Sequence, residues 1–349
     1  PAMDQVAVPM KDRSDTALGP EVRTGKALEV FNIPLFEIPP VLDVRPTDEF
    51  RDSHIICAVS LPLEEASDLG NVLQRIVDHS NQFGWDSFST VTVVHNEKTK
   101  ERAERFVQLL HAQICQQSER YSDLQMDLSE VQRLVVKMSH MCKRILLLGH
   151  EDFELTFPQC VIHGDVPFGE AMRLIEELGP LPRCVMTCPR LYVAGRQVRI
   201  TERLMRFLGT THMVANADWA DVHQGTTGGR SSDPFQDRPV DVQGVRYLKC
   251  DIADAGSDED AIEVLRGAAD FLDGCEQGSG VGLVSMHGQS RGTAVICAYL
   301  IAIKGHSVSE AWAVIENSMM AVDKHKLWWS ALQHLSKKRR LALEGGATL

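Results

Sequence analysis

Residues 281–305, VGLVSMHGQSRGTAVICAYLIAIKG, constrain the fold more than any other stretch of the chain. An apolar run of strand length ends at Met286, a loop with one glycine, Gly288, follows, and an Ala/Ile/Val-rich helix begins at or near Arg291. From Thr293 to Ile303 that helix is apolar nearly all round, so it has to be buried on every side. The order strand, loop, buried helix is compatible with an α/β fold, a central sheet flanked by helices. The junction also has a chemical consequence. Backbone N–H groups converge at the helix N-terminus, and a guanidinium folded over them makes a site for a tetrahedral oxyanion.

The loop resembles the signature of the cysteine-dependent protein phosphatases, in particular the dual-specificity branch, which reads His-Cys-x-x-Gly-x-x-Arg-Ser/Thr. Gly288 and Arg291 fall on the glycine and the arginine. Ser285 occupies the cysteine position, Val284 the histidine position and Gly292 that of the final hydroxyl residue. The resemblance implies a phosphate cradle made of Ser285, Met286, His287, Gly288, Gln289, Ser290 and Arg291, without its nucleophile. The family attacks phosphorus with a thiolate, reached by lowering a thiol pKa that starts at about 8.5. A serine hydroxyl has no comparable anion at neutral pH and, without an adjacent base, is a weak nucleophile. Arg291 is expected either to hold an oxyanion or to form a salt bridge that holds the empty loop. A Cys→Ser exchange is also what an engineered, substrate-trapping form of a weak dual-specificity phosphatase carries, but Val284 and Gly292 would serve no such purpose.

The same resemblance runs over about 189–336. Pro189–Gly195 resembles the family's entry strand, 198–208 has the spacing of an amphipathic helix, and His212–Asn216 and Val245–Asp251 read as buried strands. Asp254 aligns with the aspartate that protonates the leaving group, a role that is idle when no nucleophile forms a phosphoenzyme. Asp258 and Glu259 are expected to cap a helix running to about Gly274, Ser307–Glu310 reads as a capping box for a helix over 308–318, and Trp328-Trp329 as core residues of the last helix. Residues 219–242, rich in Gly, Ser and Asp, read as a solvated or partner-binding insertion.

The first half resembles the rhodanese-like fold. Asp43-Val44-Arg45, the acidic turn Pro46–Phe50 and His54–Val59 match its opening, and further helices are expected at 63–80, 99–117 and 127–142, with strands at 89–95 and 144–148. The persulfide-carrying cysteine of an active rhodanese aligns with His95, which reads as a polar loop residue, so neither sulfur transfer nor phosphatase turnover is expected. A rhodanese-like domain ahead of a dual-specificity domain is the layout of the MAP-kinase phosphatases. Their basic kinase-docking run is acidic here, in Ser60–Gly70, so docking in that manner is not expected. Among families with this layout, the resemblance is to the serine/threonine/tyrosine-interacting-like pseudophosphatases.

The expected organisation is a tail over 1–27, an inactive rhodanese-like domain over 28–163 with a parallel sheet, a linker over 164–185 with room for one helix, a dual-specificity-phosphatase-like domain over 186–340 with a mixed sheet, and a tail over 341–349. A net charge of −12 argues against nucleic acid, and the basic run Lys337–Arg340 reads as a complement to a helix C-terminal dipole. No apolar stretch has transmembrane length and no secretory signal is visible, which leads to a cytoplasmic expectation, with a cytoskeletal or ciliary assembly as a more specific one. Nine scattered cysteines read as reduced core residues, and Cys184 and Cys188 lack the further ligands of a zinc site. No cofactor is expected. The expected function is a catalytically inactive phosphatase-like scaffold with protein partners, phosphorylated ones included, or else a purely structural subunit.

Overall fold

Short β-branched runs alternate with helical segments through both halves of the chain, and in a computed structural model they build a five-stranded sheet, a six-stranded sheet and a small antiparallel pair of Ser53–Ile55 with Val161–His163. The structure describes residues 20–32, 41–56, 58–63, 74, 89–120, 133, 135, 138, 142–164, 166, 168–195, 198–215, 240–242, 244–250, 257–277, 280–285, 289–318 and 326–344. The helices expected at 63–80 and 127–142, most of the acidic segment at 60–70, most of the insertion at 219–242, and Asp254, Met286, His287 and Gly288 lie outside these residues.

The first half contributes β1 (Glu21–Thr24), α1 (Ala27–Phe31), β2 (Val41–Asp43), α2 (Thr47–Asp52), β3 (Ser53–Ile55), β4 (Ala58–Ser60), β5 (Thr90–His95), α3 (Lys100–Arg120), β6 (Arg144–Gly149), α4 (His150–Thr156) and β7 (Val161–His163). Its five-stranded sheet has the order β1-β6-β5-β2-β4, and every neighbouring pair is parallel. β5 reads TVTVVH and all six of its residues are buried, as in a strand covered on both faces.

The second half contributes α5 (Phe168–Leu178), β8 (Arg183–Thr187), β9 (Arg190–Ala194), α6 (Glu202–Leu208), β10 (His212–Ala215), β11 (Val240–Val242), β12 (Val245–Lys249), α7 (Asp258–Gln277), β13 (Val281–Ser285), α8 (Gln289–Ala302), α9 (Val308–Ser318) and α10 (Lys326–Glu344). Its sheet, β11-β12-β10-β13-β9-β8, is parallel in the centre and antiparallel at both edges. The α/β class, with one parallel and one mixed sheet, is the one expected from the sequence. α8 is buried from Gly292 to Ile301, with α7 and α10 packed against it, because a helix without a polar face has to be covered on all sides.

Three boundaries differ from expectation. The tail drawn over 1–27 takes in β1, which pairs with β6 from Glu21↔Arg144 to Thr24↔Leu147; four residues, of which only Val22 and Thr24 favour strands, gain a partner here that sequence proximity does not reveal. The tail drawn from 341 begins inside α10, which continues to Glu344, so Lys337–Arg340 lie before the last turn and do not sit on the helix terminus. Arg339 instead lies against Gly305, where a Cβ would come within 2.7 Å of the guanidinium and the backbone φ is +83°.

The third difference concerns 164–185, expected as a linker. It holds α5 and the start of β8, and the Gly and Pro residues at its ends delimit this helix. α5 buries Ala171, Ile175 and Leu178 in an apolar cluster that draws on both sheets, with Val30, Phe31, Phe153 and Phe157 from the first half and Tyr192, Met213, Tyr247 and Leu283 from the second. Phe31 stacks on Phe157 at 4.3 Å between centroids and meets Tyr192 at 5.7 Å. The Gln159 amide donates to the Tyr192 hydroxyl at 3.2 Å. The two sheets therefore share a core.

Candidate functional site

Central parallel strands bring their carboxyl ends together, and in the second sheet that edge is where the sequence places its candidate loop. Ser285 is the last residue of β13, in register with Ala194 of β9 and Ala215 of β10. α8 begins at Gln289, two residues earlier than the pattern indicated, so that Ser290 and Arg291 both lie in its first turn. The unpaired N–H groups of that turn and the positive end of the helix dipole lie just past the carboxyl edge, the ordinary position for an anion in an open α/β sheet.

Two departures from the family signature form one packing arrangement. Val284 is fully buried in the core that contains Val193, Leu265, Ala294 and Val295. A Cβ on Gly292 would lie 3.0 Å from Cγ1 of Val193 and 3.6 Å from Cγ1 of Val284. The methyl groups of Val193 and Val284 fill the space beside Gly292, and the backbone of α8 closes directly onto them.

Arg291 is half-buried, and its Cζ lies 5.9 Å from the centroid of the Trp328 ring. Among the described residues no carboxylate lies within ion-pair distance of it, so the salt bridge considered for Arg291 is not formed with any of them. Trp328 is buried and Trp329 partly so, as expected of core residues, and Trp329 meets Trp312 edge-on at 5.4 Å.

Other groups around this edge serve structure. Asp258 was expected to cap α7, yet the cap is Ser257, whose hydroxyl accepts from the Asp260 N–H at 3.2 Å and donates to the Asp260 carboxylate at 2.9 Å. The Ser-x-x-Asp spacing was present in the sequence and was passed over. Asp258 turns towards α10, accepting from the Ser330 hydroxyl at 2.7 Å. The capping box at Ser307 and Glu310 forms as expected, with both reciprocal bonds present. Burial pushes the thiols of Cys142 up to about 11 and those of Cys184, Cys275 and Cys297 up to about 12, so none of these four supplies a thiolate at neutral pH. Cys184 is buried and Cys188 exposed, and among the described residues no group of three or more His, Cys, Asp or Glu is arranged to hold a metal. None of the described helices is long and apolar enough to cross a membrane.

His95, expected in a loop, belongs to the strand. It ends β5 beside Gly149, is buried, and places Nδ1 3.2 Å from the Asn96 carbonyl. The turn after it closes on itself. The Asn96 side-chain oxygen accepts from the Thr99 N–H at 2.9 Å, the Thr99 hydroxyl accepts from the Asn96 N–H at 3.1 Å, and the Asn96 amide nitrogen donates to Glu49. The N–H groups of Asn96 and Thr99 are thereby engaged by side chains of the same turn.

Beside it lies a buried polar cluster that sequence reasoning noticed only as family markers. Arg45 donates to Asp43 at 2.9 and 2.7 Å and to the Ser53 carbonyl at 2.6 Å, and both side chains of the pair are buried. Burial drives the Asp43 carboxyl upward, and the paired guanidinium opposes it. His150 is 2% exposed, and its Nδ1 lies 3.7 Å from Glu154. Its pKa is pushed down to about 4, first by burial and then by the positive charge of Arg45, His54 and His163.

No protein-family model matches the chain, and no curated protein matches it either. Several solved structures are similar at low identity. The human tyrosine phosphatase-like serine/threonine/tyrosine-interacting protein is 18% identical, the match covering 46% of this chain and 97% of that one with a TM-score of 0.33. Human DUSP28 is 18% identical over 46% of this chain and 98% of its own, with a TM-score of 0.35. A leucine rich repeat and phosphatase domain containing protein from Entamoeba histolytica is 14% identical over 48% of this chain and 96% of its own, with a TM-score of 0.34. Each likeness takes in about half of this chain.

Proposed function

We propose that this chain is a catalytically inactive, phosphatase-like binding protein that holds a phosphorylated group of a protein partner at the start of α8. One observation carries the reading: at the end of the central strand stands Ser285, which has no thiolate to offer, while Arg291 in the following turn is tied to no carboxylate among the described residues. The residue arrangement is thus suited to holding an oxyanion and unsuited to attacking one. The rhodanese-like reading of the first half belongs to the same proposal, with His95 in place of a sulfur nucleophile and its turn closed.

Incubation with an aryl phosphate is expected to show no turnover above buffer. Titration calorimetry with phosphotyrosine and phosphoserine peptides is expected to show binding that Arg291→Ala strongly weakens. Absence of binding at millimolar peptide defeats the proposal, as does a sizeable hydrolysis rate that disappears in Arg291→Ala.

A second reading, a structural subunit of a larger assembly, is favoured by the shared apolar core, which makes the two sheets one block. It predicts that Arg291→Ala leaves partner association intact.

A further inference from the structure

We infer that Trp328 is a positioning residue for anion binding: its indole carries the guanidinium of Arg291 in a form that leaves the guanidinium donors free for a tetrahedral oxyanion. The inference rests on the reading of Arg291 as the anion-holding group, and it adds the residue that makes this arginine usable.

The usual partner of a half-buried arginine is a carboxylate, which takes two of its N–H donors and cancels its charge. An aromatic face does neither. It attracts the cation through the ring quadrupole, and the N–H bonds lie in the guanidinium plane, outside the contact. Arg291 has this kind of support. Its Cζ sits 5.9 Å from the Trp328 centroid, and no described carboxylate reaches it.

The indole is held firmly enough to act as a support. Trp328 is 7% exposed within the core that contains α7, α8, α9 and α10. Its neighbours fix α10 on either side: Trp329 meets Trp312 edge-on, and the Ser330 hydroxyl donates to Asp258 at 2.7 Å. Asp258 opens α7, so α10 ties the beginning of α7 to the arginine of α8. The ligand class this serves is a phosphate monoester, close to dianionic at neutral pH, whose oxygens accept from two guanidinium N–H groups at once.

The test titrates phosphotyrosine, with inorganic phosphate in parallel, against wild type, Trp328→Phe, Trp328→Leu, Arg291→Ala, the Trp328→Leu/Arg291→Ala double variant and Phe271→Leu. Cation–π contacts of this kind correspond to about threefold to tenfold in affinity. Trp328→Leu is expected to weaken binding by about that factor, Trp328→Phe to stay within about twofold, and Phe271→Leu, which loosens the same core beside His212 and Arg246, to bind as wild type. In the Arg291→Ala background, Trp328→Leu should cost nothing further. Wild type that binds while Trp328→Leu binds equally well overturns the role of Trp328 alone, and so does an equal loss in Phe271→Leu. Wild type that ignores both ligands overturns the anion reading itself.

Discussion

Asn32 and Cys184, 152 residues apart, are paired as two strands would be: the Asn32 amide nitrogen donates to the Cys184 carbonyl at 2.7 Å, and its oxygen accepts from the Cys184 N–H at 2.8 Å. Cys184 lies on β8, the edge of the second sheet, at an irregularity in its pairing with β9. An edge strand leaves backbone groups unpaired, and here a side chain from the end of α1 satisfies them. The Asn32 carbonyl accepts in turn from Arg183 at 2.9 Å, so the two halves are joined by directed bonds as well as by the apolar cluster.

Asn32→Ala is accordingly expected to destabilise the protein by about 2–3 kcal/mol, because it strands a donor and an acceptor on a buried residue. Urea unfolding measures this. Wild type should melt in one transition because the core is shared, and Asn32→Ala should shift the midpoint down. A midpoint equal to that of wild type rules out the strand-like role of Asn32.

Gly292→Ser should cost about 1–3 kcal/mol by overpacking against the Val193 and Val284 methyl groups. Adding Val193→Ala should recover most of that loss, since it removes the atom 3.0 Å from the added Cβ. Thermal unfolding of the single and double variants checks the coupling, and additive losses would contradict it.

Arg45→Ala should destabilise by about 3–5 kcal/mol by leaving the buried Asp43 carboxylate unpaired, whereas Asp43→Ala/Arg45→Ala should lose less than the two single losses added. A double-mutant cycle in urea tests this; a coupling near zero would mean that water or another group already screens the pair.

Acid should weaken the fold through His150. Its folded pKa, about 4, is below the ordinary 6.5, so the unfolded chain takes up the proton first as the pH falls. The contribution is complete above about pH 6.5 and is lost on descent through about pH 4, amounting to about 3 kcal/mol at most. His212 acts with the same sign, its pKa being lowered by burial and by Arg246, which donates to its Nε2 at 3.5 Å. His150→Gln should flatten the dependence of the urea midpoint between pH 7 and pH 5. A slope identical to that of wild type would remove His150 as its source.

Much of the fold was legible because its signals are local. The apolar run of β13, the all-round apolar α8 and the Ser307–Glu310 box each depend on residues within a few positions of one another. The loss of the thiol was legible too, since Ser285 is read directly against the spacing of Gly288 and Arg291. Boundaries failed where a segment's role depends on a distant partner. β1 becomes a strand by lying beside β6, and α5 is part of the core because Phe31, Phe157 and Tyr192 surround the apolar face it presents.

For the candidate site, the sequence by itself determined the residue types: Ser285 without a thiolate, Gly288 and Arg291 three and six residues further on, and His95 at the end of an apolar run. Only the tertiary structure decided what those residues face. Arg291 meets the indole of Trp328, Gly292 meets Val193, and the turn after His95 is closed by Asn96 and Thr99. The physical reason is that periodicity along a chain specifies which face of an element must be covered. What covers that face is settled by packing among elements far apart in sequence, and for Arg291 that packing supplied an aromatic ring.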